Sequence, residues 1–355
     1  MNLGSFRIQI LLVEKRSDSA DDCTWTREQA HSEAQPLART QHIAIATPKR
    51  DRIFMFGGHH SPQARLNDTW FLNVAKGELS WTRVGSDKDN TTNQDSSIGA
   101  PAPRANSGAT LYDNKIYVFG GHGGLGYARV AFNDLFCFDL ETEKWEQIHA
   151  TNNAPQGRGG HSVFASDGKI YVYGGWNSEM QFNNIWVFDL EKKEWTDPDI
   201  YNEVPRWNHS SLLVEAIPTW KFFIFGGECA EYNEGTARTF GAYVNSSCVL
   251  DLGSLQWNTF ASDPELFPEI PPPREYAAMA LDKMKNRLIV SGGWNNGWFN
   301  DMHALNVAKI VGPDYAVMGS EPNMGQLTGN VPLKITGLGF SDANVRVFFT
   351  QGNKP

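Results

Sequence analysis

Ile116-Tyr117-Val118-Phe119-Gly120-Gly121 is the stretch from which the architecture of this chain can be read. A short apolar run ends in two glycines, and the pattern returns at Ile53-Phe54-Met55-Phe56-Gly57-Gly58 and Ile170-Tyr171-Val172-Tyr173-Gly174-Gly175. Phe222-Phe223-Ile224-Phe225-Gly226-Gly227 and Leu288-Ile289-Val290-Ser291-Gly292-Gly293 complete the set. Successive first glycines lie 63, 54, 52 and 66 residues apart. Self-similarity at such a period marks one supersecondary unit used repeatedly, with loops of variable length. Most recurring residues of a repeat array hold it together, so function is sought where the repeats differ.

Other columns keep step with the glycines. An arginine precedes each pair by 16 to 20 residues: Arg39, Arg104, Arg158, Arg206 and Arg274. Three residues after each stands His42, Ser107, His161, His209 or Ala277. Beyond the glycines, an Asn opens another apolar run at Asn67, Asn133, Asn183, Asn245 and Asn300. A turn dipeptide follows, as in Asp139-Leu140, Asp189-Leu190 and Asp251-Leu252. A tryptophan then comes 12 to 14 residues after the Asn in four units: Trp81, Trp145, Trp195 and Trp257.

Each unit therefore reads as four short strands: one after the arginine, one ending in Gly-Gly, one after the Asn and one bearing the Trp. Asp113-Asn114 and Asp167-Gly168 supply the positive φ angles of tight hairpins between the first two strands. The double glycines remove Cβ atoms where backbones approach closely. One such sheet has two apolar faces and cannot stand alone, whereas sheets stacked around an axis bury one another. The expected fold is all-β, a β-propeller of four-stranded blades. Over residues 25–312 the sequence resembles the kelch-repeat family, through the double glycines, the aromatic strands and the spaced Trp.

The fifth unit lacks a trailing Trp, and Trp25 stands 14 residues before Arg39, close to the 13 from Trp145 to Arg158. An N-terminal strand around Trp25 is expected to close the ring, giving five blades. A sixth is the alternative, since residues 1–24 offer an extension with one strand (Phe6 to Val13). Residues 313–355, with Gly337-Leu338-Gly339-Phe340 before Val345-Arg346-Val347-Phe348-Phe349, resemble the opening of an IPT/TIG Ig-like sandwich. Such a sandwich needs ~100 residues, so only part of one is present.

Composition narrows the function. The 355 residues carry a net charge of −9 without a dense Lys/Arg run, which argues against a nucleic-acid partner. Apolar residues at 41% suffice for a large core, and aromatics at 12% favour β structure. Cys23, Cys137, Cys229 and Cys248 have no CxxC spacing and read as reduced thiols of a cytoplasmic protein. The run Ile8–Val13 is too short to insert into a membrane.

The arginine and histidine columns recur in register and read as ties within and between blades. The loops after the glycines break register and share one face. They hold His59, His60 and Arg65; His122, Tyr127 and Arg129; Trp176 and Asn177; Tyr232 and Arg238; and Trp294, Asn295 and Trp298. Trp, Tyr and Arg on loops held by a rigid scaffold dominate binding hot spots. Trp176 and Trp294, directly after Gly-Gly, fit equally well as packing. His59, His60, His122 and Cys229 lack the spacing of a metal site. Gly120-Gly121-His122-Gly123-Gly124 precedes no helix, which argues against a phosphate cradle.

The resemblance implies a non-catalytic interaction module, with no cofactor, presenting loops to a peptide or protein partner inside a larger assembly. The domain combination suggests cytoskeletal or ciliary scaffolding. The alternative is a metal-dependent propeller enzyme, oxidase- or lyase-like. Neither the Cys/Tyr/His set of the first nor the Glu/Asp/His loop of the second is visible here.

Overall fold

The structure is a computed structural model. It describes residues 6–12, 30, 32, 34–61, 64–74, 79–85, 99–124, 129–216, 218–233, 238–260, 269–283, 285–311, 316–321, 334–338 and 345–351. Side chains of 6–12, 230–240, 309 and beyond 311 fall outside the description. Trp25, and with it the expected closing strand, lies outside the described residues, as does Tyr127.

The repeats fold as the glycine spacing predicts, into a five-bladed β-propeller of antiparallel sheets. Blade 1 comprises Ile43–Ala46, Arg52–Ser61, Ala64–Asn73 and Ser80–Arg83. Blade 2 comprises Gly108–Tyr112, Lys115–Phe119, Leu135–Asp139 and Lys144–Ile148. Ser162–Ser166, Lys169–Tyr173, Ile185–Asp189 and Glu194–Thr196 form blade 3. Ser210–Val214, Lys221–Phe225, Ser247–Asp251 and Gln256–Thr259 form blade 4. Blade 5 has three described strands, Ala278–Asp282, Arg287–Ser291 and Met302–Asn306.

Within a blade the strands pair in sequence order, innermost first. The turn chemistry follows the sequence. Asp113 and Asp167 adopt φ of 47° and 50° at the first hairpins. Asp139 Oδ1 accepts from the amides of Glu141 and Thr142, both at 2.9 Å, and Asp189 Oδ1 repeats this with Glu191 and Lys192. Those backbone donors, Thr142 first for Asp139 and Lys192 first for Asp189, hold both carboxyls below their ordinary range.

Blade 1 departs from the expectation that the second strand ends at Gly-Gly, and the loops that follow the glycines in blades 2 and 4 carry ladders of their own, His122–Gly123 with Val130–Ala131 in blade 2. In blade 1 the strand continues to Ser61 as a ribbon with Ala64–Asn73, the register slipping between Phe56 and Gly58. After blade 4's glycines, Glu228–Asn233 pairs with Arg238–Tyr243 as a separate hairpin. Where the connection back to the third strand is hairpin-like, the chain satisfies its backbone groups against itself rather than as irregular loop.

Consecutive blades are joined by three repeating devices. In blades 2, 3 and 4 the tryptophan of the outer strand packs against the preceding blade: Trp145 lies 4.7 Å from Phe56, Trp195 5.2 Å from Phe119, and Trp257 5.0 Å from Tyr173 (ring centroids). The second glycine of each pair donates its N–H to the carbonyl of the next blade's arginine. Gly58 reaches Arg104, Gly121 reaches Arg158, Gly175 reaches Arg206 and Gly227 reaches Arg274, at 2.8–2.9 Å. A Cβ on the first glycine would press on that same carbonyl; at Gly226, with φ +66°, it would stand 2.4 Å from Arg274 O. The third device is the histidine column. His161 Nε2 lies 3.1 Å from Phe119 O and 3.3 Å from the Gly108 amide, and His209 Nε2 lies 2.7 Å from Ser162 Oγ.

Burial holds these imidazoles neutral. It pushes His161, 7% exposed, well below its ordinary value, with Arg158 adding to the effect, and brings His209 down to about 3. The unfolded chain takes up a proton on each near pH 6.5 while the folded chain does not. Stability is therefore complete above that pH and is lost as pH falls toward the folded value. The slope is at most about 1.4 kcal/mol per pH unit for each histidine. Urea unfolding between pH 7 and pH 5 should show the midpoint dropping in the wild type, and His161→Gln should flatten the slope. An unaltered slope would remove His161 from the account.

The chain divides into two compact units, residues 28–281 with 287–305, and residues 1–27, 282–286 and 306–355. In the second unit Phe6–Leu12 pairs antiparallel with Val345–Gln351, Ala316–Glu321 pairs with Lys334–Leu338, and Ala308–Val311 is a short helix. No described helix is long and apolar enough to cross a membrane.

Candidate functional site

The arginine column builds the frame beneath the loop face. Arg104, 1% exposed, donates from Nη1 to Gly120 O (2.9 Å) and forks onto Asp134 at 2.6 and 2.9 Å. Arg39 with Asp68 and Arg274 with Asp301 repeat the fork. Arg158 uses Asn184 Oδ1 instead, and Arg206 uses Ser246 Oγ. The acceptor is always the residue after the repeat's Asn. These arginines are committed to blade-internal partners.

One residue further on, the chain turns into the mouth of the propeller. Thr40, Ala105, Gly159, Trp207 and Glu275 form reciprocal backbone bridges with the residues that follow Gly-Gly, namely His59, His122, Trp176, Glu228 and Trp294. Inside this ring lie the residues two after each arginine, linked amide to carbonyl: Asn106 to Gln41, Gly160 to Asn106, Asn208 to Gly160 and Tyr276 to Asn208, at 2.8–3.0 Å. Gln41 Nε2 donates to Tyr276 Oη at 2.8 Å, joining blade 1 to blade 5. All five inner residues have φ between 54° and 66°. Gly and Asn tolerate that conformation, while Tyr276 pays for it in strain of the kind that gathers at binding sites.

The mouth has an aromatic floor. Trp176 and Trp207 stack at 6.0 Å and 24°, His122 meets Trp176 edge-on at 5.6 Å, and Trp294 meets Trp298 at 4.7 Å. Trp298 is 80% exposed, the most open large hydrophobic side chain among the described residues. Burial brings His122 down to about 4, so it is a neutral ring at physiological pH.

The charges are divided. Arg65, opposite His59 in blade 1's ribbon, has Nε and Nη1 out of solvent and without a hydrogen-bond acceptor. Arg129 lies with its Cζ 4.8 Å over Trp176. Each guanidinium is pushed down mainly by burial, and Arg65 also by Arg129. On the other side Glu228 and Glu275 are raised by burial and Glu275 also by Glu228; Asn208 Nδ2 donates to Glu275 Oε2 at 2.7 Å.

Other expected loop residues are placed as follows. His60 is exposed, its Nδ1 2.7 Å from Ala38 O. Asn177 Oδ1 accepts from Glu179 and Met180 amides and shapes its own loop, and Asn295 Nδ2 donates to Pro273 O. Tyr232 and Arg238 lie on the blade 4 hairpin, their side chains outside the description. Sequence reading missed Trp207, Glu275 and Tyr276 at the mouth. They occupy the two columns after each arginine, which vary in residue type while the arginine does not. Among the described residues no three His, Cys, Asp or Glu side chains converge as a metal site would require.

Blades joined around a mouth in this way define a kelch-type propeller. The chain matches the KLHDC2/KLHL20/DRC7 Kelch-repeats domain over residues 17–227 and belongs to that kelch-repeat family. It is similar to the flagellar outer arm dynein alpha chain of Chlamydomonas reinhardtii, 31% identical over 97% of this chain and 7% of that protein. It also resembles dynein heavy chain-like protein 2 of Plasmodium falciparum, 29% identical over 64% of this chain and 5% of that one. Human host cell factor 1 is 29% identical over 41% of this chain and 8% of its own length. The chain thus spans less than a tenth of each of these relatives.

Proposed function

We propose that this chain is a non-catalytic interaction module that presents its Gly-Gly loop face to a peptide or protein partner within a larger assembly. The observation that carries it is the mouth itself: aromatic rings and charges held at one end of the blades by backbone bridges, beside arginines already consumed as ties. The names of the dynein relatives favour a cytoskeletal or ciliary setting. Residues 313–355 are proposed to open an Ig-like module.

The test is affinity capture from a cell extract with the wild-type chain and with Arg129→Ala/Trp294→Ala. A hot-spot truncation costs about 2 kcal/mol or more, roughly thirtyfold in Kd. Partners should be lost from the variant while its thermal midpoint stays near wild type. Retention of every partner would move the binding surface elsewhere. The enzyme reading requires near-stoichiometric copper or iron in the purified protein, which metal analysis would reveal.

A further inference from the structure

Charge is distributed unevenly around the mouth. On the blade 1–2 side, Arg129 is close enough to Arg65 to disfavour its charge, Arg65 Nε and Nη1 are out of solvent without an acceptor, and among the described residues neither arginine pairs with a carboxylate. Two like charges held together and partly desolvated, with donors left unmet, form an incomplete arrangement. On the blade 4–5 side, Glu228 and Glu275 repel each other, and Glu275 is only 8% exposed. Asn208 and the Trp207 ring N–H satisfy them as acceptors but do not neutralise them. Between the two sides lie the stacked rings of Trp176 and Trp207, and Tyr276, which senses the charge of Arg129 and of both glutamates.

The salt bridge that would cancel these charges internally is not formed. Elsewhere in the propeller the chain makes such bridges readily, as Arg39–Asp68, Arg104–Asp134 and Arg274–Asp301 demonstrate. These two arginines and two glutamates sit at the mouth, with the stacked rings of Trp176 and Trp207 beside them. A ligand that completes both sides must carry negative charge at one end and positive charge at the other, with carbon-rich material to lie over the indoles.

We propose that the loop face recognises a dipolar partner segment. An Asp or Glu of the partner docks on Arg65 and Arg129, and a Lys or Arg docks between Glu228 and Glu275, with apolar or aromatic residues between them over Trp176 and Trp207. This rests on the loop-face reading above and specifies its ligand. Complementary charges at a mouth of this kind also set the direction in which the segment lies.

The test is selection of a random-peptide phage library on the immobilised full chain. The enriched pool from the wild type should be rich in peptides holding both an acidic and a basic residue separated by apolar ones. Arg65→Gln/Arg129→Gln should lose the acidic enrichment and keep the basic one; Glu228→Gln/Glu275→Gln should do the reverse. A selected peptide, synthesised, should bind each double variant about tenfold or more weakly. Glutamine keeps an acceptor for Asn208 and Trp207, and circular dichroism checks that the variants are folded. A pool without charge bias, a bias untouched by the variants, or no enrichment at all overturns the dipolar ligand. Should capture from extract still depend on Arg129 and Trp294, the loop-face role survives that failure; should capture be indifferent to them, the loop face itself falls as the binding surface.

Discussion

Arg104→Ala is expected to destabilise the propeller by about 3–5 kcal/mol, read as a lowered urea midpoint, because it leaves one member of a buried ion pair behind. Four donor contacts disappear together: Nε to Ala102 O, Nη1 to Gly120 O, and the fork onto both oxygens of Asp134. The guanidinium also covers Phe132, 4.1 Å from its ring centroid. Asp134 is then left partly buried with no counter-charge. Arg104→Lys restores charge without the planar fork and should recover only part of the loss. Arg158→Ala makes the informative comparison, since its partner Asn184 is neutral. Leaving an amide unpaired costs about 1–3 kcal/mol, so the Arg158 variant should be the milder. Equal losses at both sites would mean that the backbone ties to Gly120 and Gly174, not charge pairing, set the cost.

How much of this was legible in the sequence depends on whether a feature repeats. The double glycines, the Asp turns and the Trp column recur five, three and four times, and each recurrence reports the same local geometry. That suffices for the strands and their order, and it favours five blades while leaving a sixth open. The Arg–Asp fork was half legible: the arginines were plain, but their acceptors sit one place after the Asn and change from Asp to Asn to Ser. The mouth was least legible, for a physical reason. Its inner residues share a left-handed backbone and a ring of amide–carbonyl bonds, neither of which demands a particular side chain. Gln41, Asn106, Gly160, Asn208 and Tyr276 therefore look unrelated in sequence although they are equivalent in space. The split of charge between Arg65–Arg129 and Glu228–Glu275 needed the ring to close before residues far apart in the chain became neighbours.

Trp145→Ala should cost about 3–5 kcal/mol, the range for emptying a large aromatic site in a core. The indole, 6% exposed, belongs to blade 2 by sequence but to both blades by contact. Phe56 and Phe54 of blade 1 lie 4.7 and 5.9 Å away, Phe138 of blade 2 lies 5.2 Å away, and Nε1 donates to Thr69 Oγ1 of blade 1 at 3.0 Å. Trp145→Phe retains most of the apolar contact and gives up that hydrogen bond, worth about 0.5–1.5 kcal/mol net, so it should fall between the wild type and Ala. Trp81 occupies the same column but is only half-buried and meets Trp70 of its own blade at 6.5 Å. Trp81→Ala should therefore be the gentler change, although the motif makes the two tryptophans identical. Hydrogen exchange separates an inter-blade wedge from an ordinary core residue. In Trp145→Ala, protection should fall in Arg52–Ser61 of blade 1 as well as in Leu135–Asp139 of blade 2. Loss confined to blade 2 would show that blades 1 and 2 are held together without the indole, by ties such as Gly58 N–H to Arg104 O and Asn106 N–H to Gln41 O.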